Sequence, residues 1–342
     1  MAKLLSTIPK VTVLMSVYNG EKYLGEAVTS ILEQTFTDFE FLIIDDASTD
    51  RTPEILQKYK DPRINTIRNP ENFGLTKSLN IGLKRAKGEY IARMDADDVS
   101  LDHRLETQIT FMDAHPEISI CGSWMVSIGN NAGSVFSSPL LNDEIITGFL
   151  FDNTIFHPTV VLRKETIFRL GELYNEQYKQ AQDMEFWVRL SNYGVKFANI
   201  GEVLLKYRIH ETNIGKTQIE NQERNAGCVK FLQLKRLSIE LTEEEKINYN
   251  ILIKGVPSDL NTLENVSRLI EKILKTNEKI KMYPDQILSR ELARRWWRVC
   301  LHSTSNGLSV WKKYFTNPVS QSRKITFTAK MYFFSKCLLH IY

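Results

Sequence analysis

Several features that would assign this chain to a large class of proteins are missing. Its four cysteines are far apart and form no Cys-x-x-Cys pair, which argues against a disulfide scaffold or a cysteine zinc site. No apolar run reaches the ~18 residues of a membrane-spanning helix, and the N-terminus lacks the apolar stretch of a signal peptide. We therefore expect a cytoplasmic protein that is not integral to a membrane.

Glycine-rich phosphate loops are also missing. The sequence contains neither a Gly-x-Gly-x-x-Gly dinucleotide motif nor a Gly-x-x-x-x-Gly-Lys-Ser/Thr phosphate loop. A Gly-x-Ser-x-Gly hydrolase elbow is absent as well. Any phosphate group that the protein binds must therefore be held by other means, and a metal ion is the obvious candidate.

The net charge of +3 conceals an uneven distribution. From residue 284 to the C-terminus there are 10 Lys and Arg against 2 Asp and Glu, which leaves 34 against 39 in the rest of the chain. The acidic main part argues against nucleic-acid binding, whereas the basic C-terminal segment indicates a different partner.

The first half of the chain alternates between two hydrophobic periodicities. Apolar runs predict strands at 11–17, 39–44, 64–68 and 90–94, and helical spacing predicts helices at 24–34, 53–60, 75–86 and 101–115. This alternation is typical of an α/β fold with a parallel sheet covered by helices on both faces. Farther along we expect a loop or hairpin at 127–138, a helix at 183–192, a strand at 203–209 and mainly helix over 225–281.

Polar clusters follow three of the predicted strands. They are Ser16 to Asn19, Asp45-Asp46 and Asp95-Ala96-Asp97. Because ligands of such sheets bind beyond the carboxyl ends of the strands, we expect these clusters to converge on one edge.

Asp95 and Asp97 lie two residues apart at a strand end. Two unit charges 4 Å apart repel by ~4 kcal/mol at an effective dielectric near 20, so bare carboxylates beside a diphosphate require a cation. Oxygen ligands suit Mg²⁺ or Mn²⁺. An isolated Asp-x-Asp is common by chance in solvated turns, and the neighbouring clusters are what favour a metal site here.

Other polar residues have two interpretations each. Asp45-Asp46 is consistent with a capping turn or with hydrogen bonds from a base or ribose. Asp183 and Glu185 near a helix start point in different directions, so only one can serve a given site, and placement near the positive helix end explains both. His157 and His210 at element ends are secondary candidates.

Taken in order, these motifs resemble those of family 2 glycosyltransferases. The resemblance extends over about residues 10–215 and rests on 13–20, 30–36, 41–50, 72–74, 87–92 and 95–98. It implies a GT-A fold, and inverting transfer of one sugar from a nucleotide-diphosphate sugar with Mn²⁺ or Mg²⁺. The Gln-x-x-Arg-Trp signature of processive members is missing after Asp183, which implies one sugar per event.

The resemblance also implies roles for individual residues. Asp183 matches the catalytic base, although Gln182 precedes it where the family usually has Glu or Asp. Asp97 would be the principal metal ligand, Asp95 would meet ribose or metal, and His210 would lie near the diphosphate as a further metal candidate. The nucleoside would be held by Ser16, Tyr18, Glu21 and Asp46, with Asp46 on the base. His157 belongs to a segment that resembles the acceptor side.

Relatives of this kind build bacterial surface polysaccharides, which suggests a UDP-sugar donor, glucose or galactose favoured, and a polyprenyl-diphosphate-linked acceptor in O-antigen or capsule assembly. Cations and aromatics alternate at 294–298, 311–315 and 330–334, which suits the anionic inner face of the cytoplasmic membrane. A packed helical tail with a basic exposed face explains these stretches equally well.

We expect a catalytic domain over 1–220, with a nucleotide-sugar half at about 8–122 and an acceptor half at 123–220. A mainly helical region follows over 221–342 and is basic and aromatic from about 284. A sugar-nucleotide nucleotidyltransferase is the enzyme alternative, but it requires a Gly-rich basic loop where this chain has residues 18–22. A non-catalytic nucleotide-binding relative is the other alternative, and the presence of Asp97 and Asp183 argues against it.

Overall fold

The computed structural model describes residues 8–210 and 219–341. Residues 1–7 and 211–215, on which parts of the sequence predictions fall, lie outside the described residues. The chain divides into two compact units. The sheet unit comprises the chain up to Ile146 together with Asn153–Val229, and the helical unit comprises Thr147–Asp152 together with the chain from Lys230 onwards.

Four parallel strands form the first part of the sheet, in the order β3-β2-β1-β4. They are β1 (Val11–Val17), β2 (Phe39–Asp45), β3 (Ile64–Arg68) and β4 (Tyr90–Asp95). The connecting helices are α1 (Leu24–Leu32), α2 (Thr52–Lys58) and α3 (Leu75–Arg85). All seven elements lie within a few residues of their predicted positions, because β1, β2 and β4 are nearly continuous apolar runs and the helices have apolar residues at helical spacing.

Helix α1 illustrates how the apolar period becomes a packed face. Leu24, Ala27, Val28 and Ile31 are all fully buried and belong to the core that covers the sheet. Burial of each of the larger aliphatic side chains contributes about 1.5–3 kcal/mol. This apolar face therefore determines which side of the helix packs against the sheet.

The sheet continues β4-β8-β6-β9-β5, with β7 paired to β6. These strands are β5 (Val99–Ser100), β6 (Ile120–Gly129), β7 (Val135–Phe136), β8 (Val161–Arg163) and β9 (Phe197–Ile209). The helices are α4 (Arg104–Ala114), α5 (Asn142–Gly148), α6 (Lys164–Leu170) and α7 (Gln182–Asn192). The predicted α/β class is confirmed. The antiparallel pair of β6 and β7 agrees with the hairpin expected at 127–138. The antiparallel pairings of β5 and β8 were not predicted, because strands of two or three residues are too short to show a period.

The helical unit contains the C-terminal part of α8 (Ile219–Arg236), from Lys230 onwards, and all later helices. The helices are α8 (Ile219–Arg236), α9 (Glu243–Lys254), α10 (Leu260–Ile280), α11 (Asp285–His302), α12 (Leu308–Thr316) and α13 (Phe327–Leu339). Thr242 and Glu245 form a capping box at the start of α9, and Asp259 caps α10. Within the described part of the chain, none of the helices has the length and apolar composition needed to cross a membrane.

Candidate active site

The three predicted polar clusters meet at one edge of the sheet. In the register of the parallel strands, Val17 lies beside Asp45 and Ser16 lies beside Asp95. The convergence expected from the strand ends is therefore confirmed.

Asp46 organises the loop that leads into α3. Its carboxylate is almost completely buried and accepts hydrogen bonds from Asn69 Nδ2 at 2.7 Å, the Phe73 backbone N–H at 2.9 Å and the Gly74 backbone N–H at 2.8 Å. Gly74 has φ +83°, which is the left-handed region that favours glycine. Since a carboxylate offers about four acceptor positions, Asp46 retains room for one further donor.

The loops after β1 and β2 are tied to each other. The Asn19 N–H donates to Ser48 Oγ at 3.0 Å, and the Glu21 N–H donates to Asp50 Oδ2 at 3.0 Å. The Glu21 carboxylate accepts a bond from Arg51 Nε at 3.1 Å. Of the predicted nucleoside-binding residues in this region, Ser16 is half-buried on β1, and Tyr18 is 48% exposed at the strand end.

Three carboxylates crowd the end of β4. Asp95, Asp97 and Asp98 each offer an oxygen within 4.8 Å of the others. Asp98 is fully buried; its Oδ1 accepts the Arg208 N–H at 2.8 Å, and its Oδ2 has no hydrogen-bond partner among residues 8–210 and 219–341. A buried acceptor without a partner is unusual and fits a cation ligand.

Electrostatics support the same conclusion. Burial, followed by the negative charge of Asp95, raises the pKa of Asp97. Burial and the charges of Asp95 and Asp97 raise the pKa of Asp98 well above its usual range. The fold thus holds three like charges together at a cost that a divalent cation would offset.

Residues at the end of β9 contact this acidic cluster. His210 Nε2 lies 2.8 Å from Asp97 Oδ2, and Arg208 Nε donates to the Asp97 carbonyl at 2.7 Å. The Tyr23 ring contacts both residues, with centroid distances of 5.2 Å to the His210 ring and 4.5 Å to the Arg208 guanidinium. Sequence reasoning identified His210 but assigned no role to Arg208 or Asp98, although Asp98 is the last residue of the recognised segment 95–98.

A buried cation lies behind the cluster. Arg93 on β4 is 4% exposed and pairs with Asp95, and its charge also acts on Asp98 and Asp183. The sequence shows no pattern that would have identified Arg93, because an arginine within a strand is ordinarily taken for a surface residue.

Asp183 lies in the first turn of α7. Ala181 ahead of the helix has φ 57°, which makes the chain turn sharply into α7. Asn153 Nδ2 donates to Asp183 Oδ2 at 2.7 Å. Burial raises the pKa of Asp183, while the Met184 N–H, the charge of Arg93 and the Asn153 bond act in the opposite direction. Glu185, the other carboxylate of this turn, pairs instead with Arg189 at 2.7 Å.

His157 lies in a buried aromatic cluster. Its Nε2 is 2.8 Å from Tyr174 Oη, and its ring packs edge-on against Trp187 at 5.9 Å. Burial and then the charge of Arg93 lower the pKa of His157 well below its usual range, so its imidazole is neutral. A contact between His157 and the acceptor substrate stays a prediction.

Known proteins of similar sequence identify the family of this chain. The sequence model of Glycosyl transferase family 2 matches residues 12–168. An uncharacterized glycosyltransferase of Haemophilus influenzae is 32% identical over 286 residues, covering 80% of this chain and 84% of the relative. The Escherichia coli UDP-Glc:alpha-D-GlcNAc-diphosphoundecaprenol beta-1,3-glucosyltransferase WfaP is 29% identical over 226 residues, covering 66% of this chain and 87% of the relative.

Solved structures agree on the fold. S. aureus TarS 1–349 in complex with UDP-GlcNAc has a TM-score of 0.56 and 20% identity, with 92% of this chain and 91% of that chain covered. The mannosyltransferase PcManGT from Pyrobaculum calidifontis, in complex with GDP-Man and Mn²⁺, has a TM-score of 0.52 and 16% identity, with 92% and 89% covered. The chain therefore belongs to glycosyl transferase family 2 and is a glycosyltransferase with a GT-A fold.

Proposed function

We propose that this glycosyltransferase moves a single glucose or galactose, with inversion, from a UDP-sugar to a polyprenyl-diphosphate-linked saccharide during O-antigen or capsule assembly. One observation carries the proposal. The acidic cluster of Asp95, Asp97 and Asp98 and the buried carboxylate of Asp183 act on the same cation, Arg93. A nucleotide-diphosphate site and a base thus share one neighbourhood.

On the donor side, the strand-end loops bind the nucleoside through Ser16, Tyr18, Glu21 and Asp46. The remaining acceptor position of Asp46 suits the N–H of a uracil ring, because three of about four positions are already filled by the chain. The complexes of TarS with UDP and UDP-GlcNAc support a uridine donor at the level of the fold.

The acidic cluster would hold Mn²⁺ or Mg²⁺. Asp97, Asp98 and Asp95 offer the oxygen donors that such ions prefer, and His210 is a further ligand candidate beside Asp97. When bound, the ion supplies Lewis-acid neutralisation of the departing diphosphate. The Oδ2 of Asp98, which has no hydrogen-bond partner among the described residues, is the structural feature that favours this assignment.

Asp183 serves as the base. Its carboxylate accepts the proton of the acceptor hydroxyl while the hydroxyl oxygen bonds to the anomeric carbon and the bond from that carbon to the diphosphate oxygen breaks. A single displacement of this kind inverts the anomeric configuration. Burial makes the carboxylate more basic, and the Met184 N–H, Arg93 and Asn153 keep it ionised.

A panel of UDP-sugars assayed against polyprenyl-diphosphate-linked N-acetylglucosamine tests the reaction. We expect turnover with UDP-glucose or UDP-galactose, and its loss in Asp183→Asn, because an amide does not accept the proton. Glu185→Gln, in the same turn, is the matched control that retains activity. Equal activity of Asp183→Asn and the wild type would remove Asp183 from the chemistry.

The acceptor class implies a partner at the membrane surface. The name of the E. coli relative specifies a diphosphoundecaprenol substrate, and diphosphoundecaprenol is a membrane lipid. The helical unit carries an open groove of about 510 Å³ lined by Trp311, Lys312, Phe315, Thr316 and Lys330, here named the basic groove. No Asp or Glu occurs after Glu291, and Lys313 beside the groove residues pairs with Glu264 of α10.

The groove suits a peripheral site on anionic lipid at the inner face of the cytoplasmic membrane. On α13, apolar surface is exposed by Phe327, Met331 and Tyr332. Each lysine close to an anionic membrane surface contributes about 1 kcal/mol to binding. By contrast, Trp296, Arg295 and Tyr314 from the predicted cation-aromatic stretches are buried in the helical unit. The membrane proposal thus rests on the basic groove and α13 rather than on the whole segment.

Vesicle binding tests this surface. We expect Lys312→Gln with Lys330→Gln to weaken binding to phosphatidylglycerol-containing vesicles about twentyfold, and added salt to have a similar effect. The control pair Lys275→Gln and Lys279→Gln removes the same charge from exposed positions of α10. Equal binding of both pairs would reject the basic groove as the membrane site.

A further inference from the structure

We propose that Asn153 is a positioning residue that orients the carboxylate of Asp183 and keeps it ionised. The proposal rests on the proposed function, in which Asp183 is the base. Asn153 belongs to neither the strand-end clusters nor the recognised motifs, and it follows the short segment 147–152 that the helical unit contributes.

The amide of Asn153 has a defined orientation. Its Nδ2 donates to Asp183 Oδ2 at 2.7 Å, and its Oδ1 accepts from the Ile155 backbone N–H at 3.4 Å. Because an ionised carboxylate only accepts hydrogen bonds, the amide must present its nitrogen to Asp183. Hydrogen bonds to an ionised carboxylate are stronger than those between neutral groups.

The backbone on both sides of Asn153 is held in place. Thr154 Oγ1 donates to the Ile145 carbonyl at 2.9 Å, and Asn199 Nδ2 donates to the Thr154 carbonyl at 3.0 Å. On the other side, Phe151 is fully buried, and the Arg295 guanidinium lies 4.0 Å from the centre of its ring. The donor is therefore presented by a rigid loop, as positioning a base requires.

Few charged or titratable groups face Asp183. Arg93 approaches from β4, Tyr174 from the segment before α7, and the Met184 N–H from the helix itself. Arg93 also pairs with Asp95, so changing it would disturb the acidic cluster. Asn153 bonds directly to Asp183, so its variants measure that bond.

Two nearly isosteric variants separate the effects. Asn153→Leu removes the donor, whereas Asn153→Asp keeps an acceptor for the Ile155 N–H and adds a like charge beside the base. We expect plateau kcat to fall about tenfold or more in both, because hydrogen bonds to charged groups have effects of this size. The acid limb of the kcat–pH profile should move upward by about one unit in Asn153→Leu and farther in Asn153→Asp. KM for the UDP-sugar should stay within about twofold.

Asn277→Leu is the matched control. Asn277 Nδ2 donates to Asp285 Oδ1 at 2.8 Å in the helical unit, so its removal breaks the same kind of bond in the other unit of the chain. We expect that variant to unfold at a lower temperature with an unchanged acid limb. An acid limb that stays at its wild-type position in both Asn153 variants would reduce Asn153 to a loop residue and overturn the proposal.

Variants made in the Asp183→Asn background distinguish failure of the positioning role of Asn153 from failure of the base assignment. There, Asn153→Leu should cause no further loss of kcat, because the group that it positions is already gone. If Asp183→Asn is inactive and the Asn153 variants follow the wild-type profile, only the positioning role fails. If Asp183→Asn keeps wild-type kcat, the base assignment and the positioning role fail together.

Discussion

Two acidic strand ends of one sheet have opposite surroundings. At the end of β2, Asp45 pairs with Arg68 and accepts the Ser48 N–H at 2.9 Å, and Asp46 accepts three donors. At the end of β4, three carboxylates crowd together and a buried oxygen of Asp98 has no hydrogen-bond partner in the described part of the chain. Both strands nevertheless end in aspartate.

The carboxylates at the end of β2 organise the surrounding loops, whereas those at the end of β4 are the ones that we propose to bind a cation. Where the chain itself supplies N–H donors and a guanidinium, the negative charge stabilises the fold. Where burial and like charges raise the pKa of Asp97 and Asp98, the charge costs free energy that His210 and Arg93 offset in part and that the proposed cation would offset further. Strain of this kind is characteristic of functional sites.

The largest expected effect is at the end of β4. We expect Asp97→Ala and Asp98→Asn each to abolish the stimulation of UDP binding by Mn²⁺, measured by calorimetry with and without the ion. Asp98→Asn should also raise Tm slightly, because it removes a buried like charge while keeping an oxygen for the Arg208 N–H. The exposed Asp102→Asn serves as the control of equal charge. Persistent Mn²⁺ stimulation in both variants would contradict the metal assignment.

The next largest effect concerns stability at the end of β2. Asp46→Asn should lower the free energy of unfolding by about 2–4 kcal/mol, because an amide nitrogen would face a backbone N–H of Phe73 or Gly74. Asp45→Asn keeps an oxygen for the Ser48 N–H and loses only its pair with the half-exposed Arg68, at a cost of about 1 kcal/mol. Urea denaturation midpoints measure both. Equal midpoints would show that Asp46 does not organise the loop.

The smallest effect is a stability gain in Asp183→Asn. Because burial raises the pKa of Asp183 above its unfolded value, the ionised carboxylate destabilises the fold at pH values above the folded-state pKa. The variant should therefore be more stable by about 1 kcal/mol at neutral pH, and this gain should vanish below the unfolded pKa, where both states are protonated. Thermal unfolding at neutral pH and near pH 3 measures the difference. A lower Tm at neutral pH would mean that the bond from Asn153 outweighs the burial of charge.

Much of the sheet unit was predictable because its elements are long and regular. The predicted strand ends placed Ser16, Asp46 and Asp95 on one edge, and β1, β2 and β4 confirm that placement. The short strands β5 and β8 were missed, since two or three residues carry no period.

The helical unit shows the limit of reading charge from composition. The stretch 294–298 suggested a surface of cations and aromatics, yet Arg295 pairs with Glu291 four residues earlier and Trp296 is fully buried. Aromatic side chains occur both in cores and at surfaces. Their burial in the folded chain therefore decides between an exposed cation-aromatic surface and a packed helical tail.

Local sequence determined the strand-helix alternation, the acidic ends of the strands and the family, because all three depend on residues close together in the chain. Tertiary structure alone brought Arg208 and His210 to Asp97, over more than a hundred residues, and Asn153 to Asp183. It also decided which carboxylates are satisfied. Hydrogen-bond partners and burial come from distant segments, and these set whether a charge stabilises the fold or is left for a ligand.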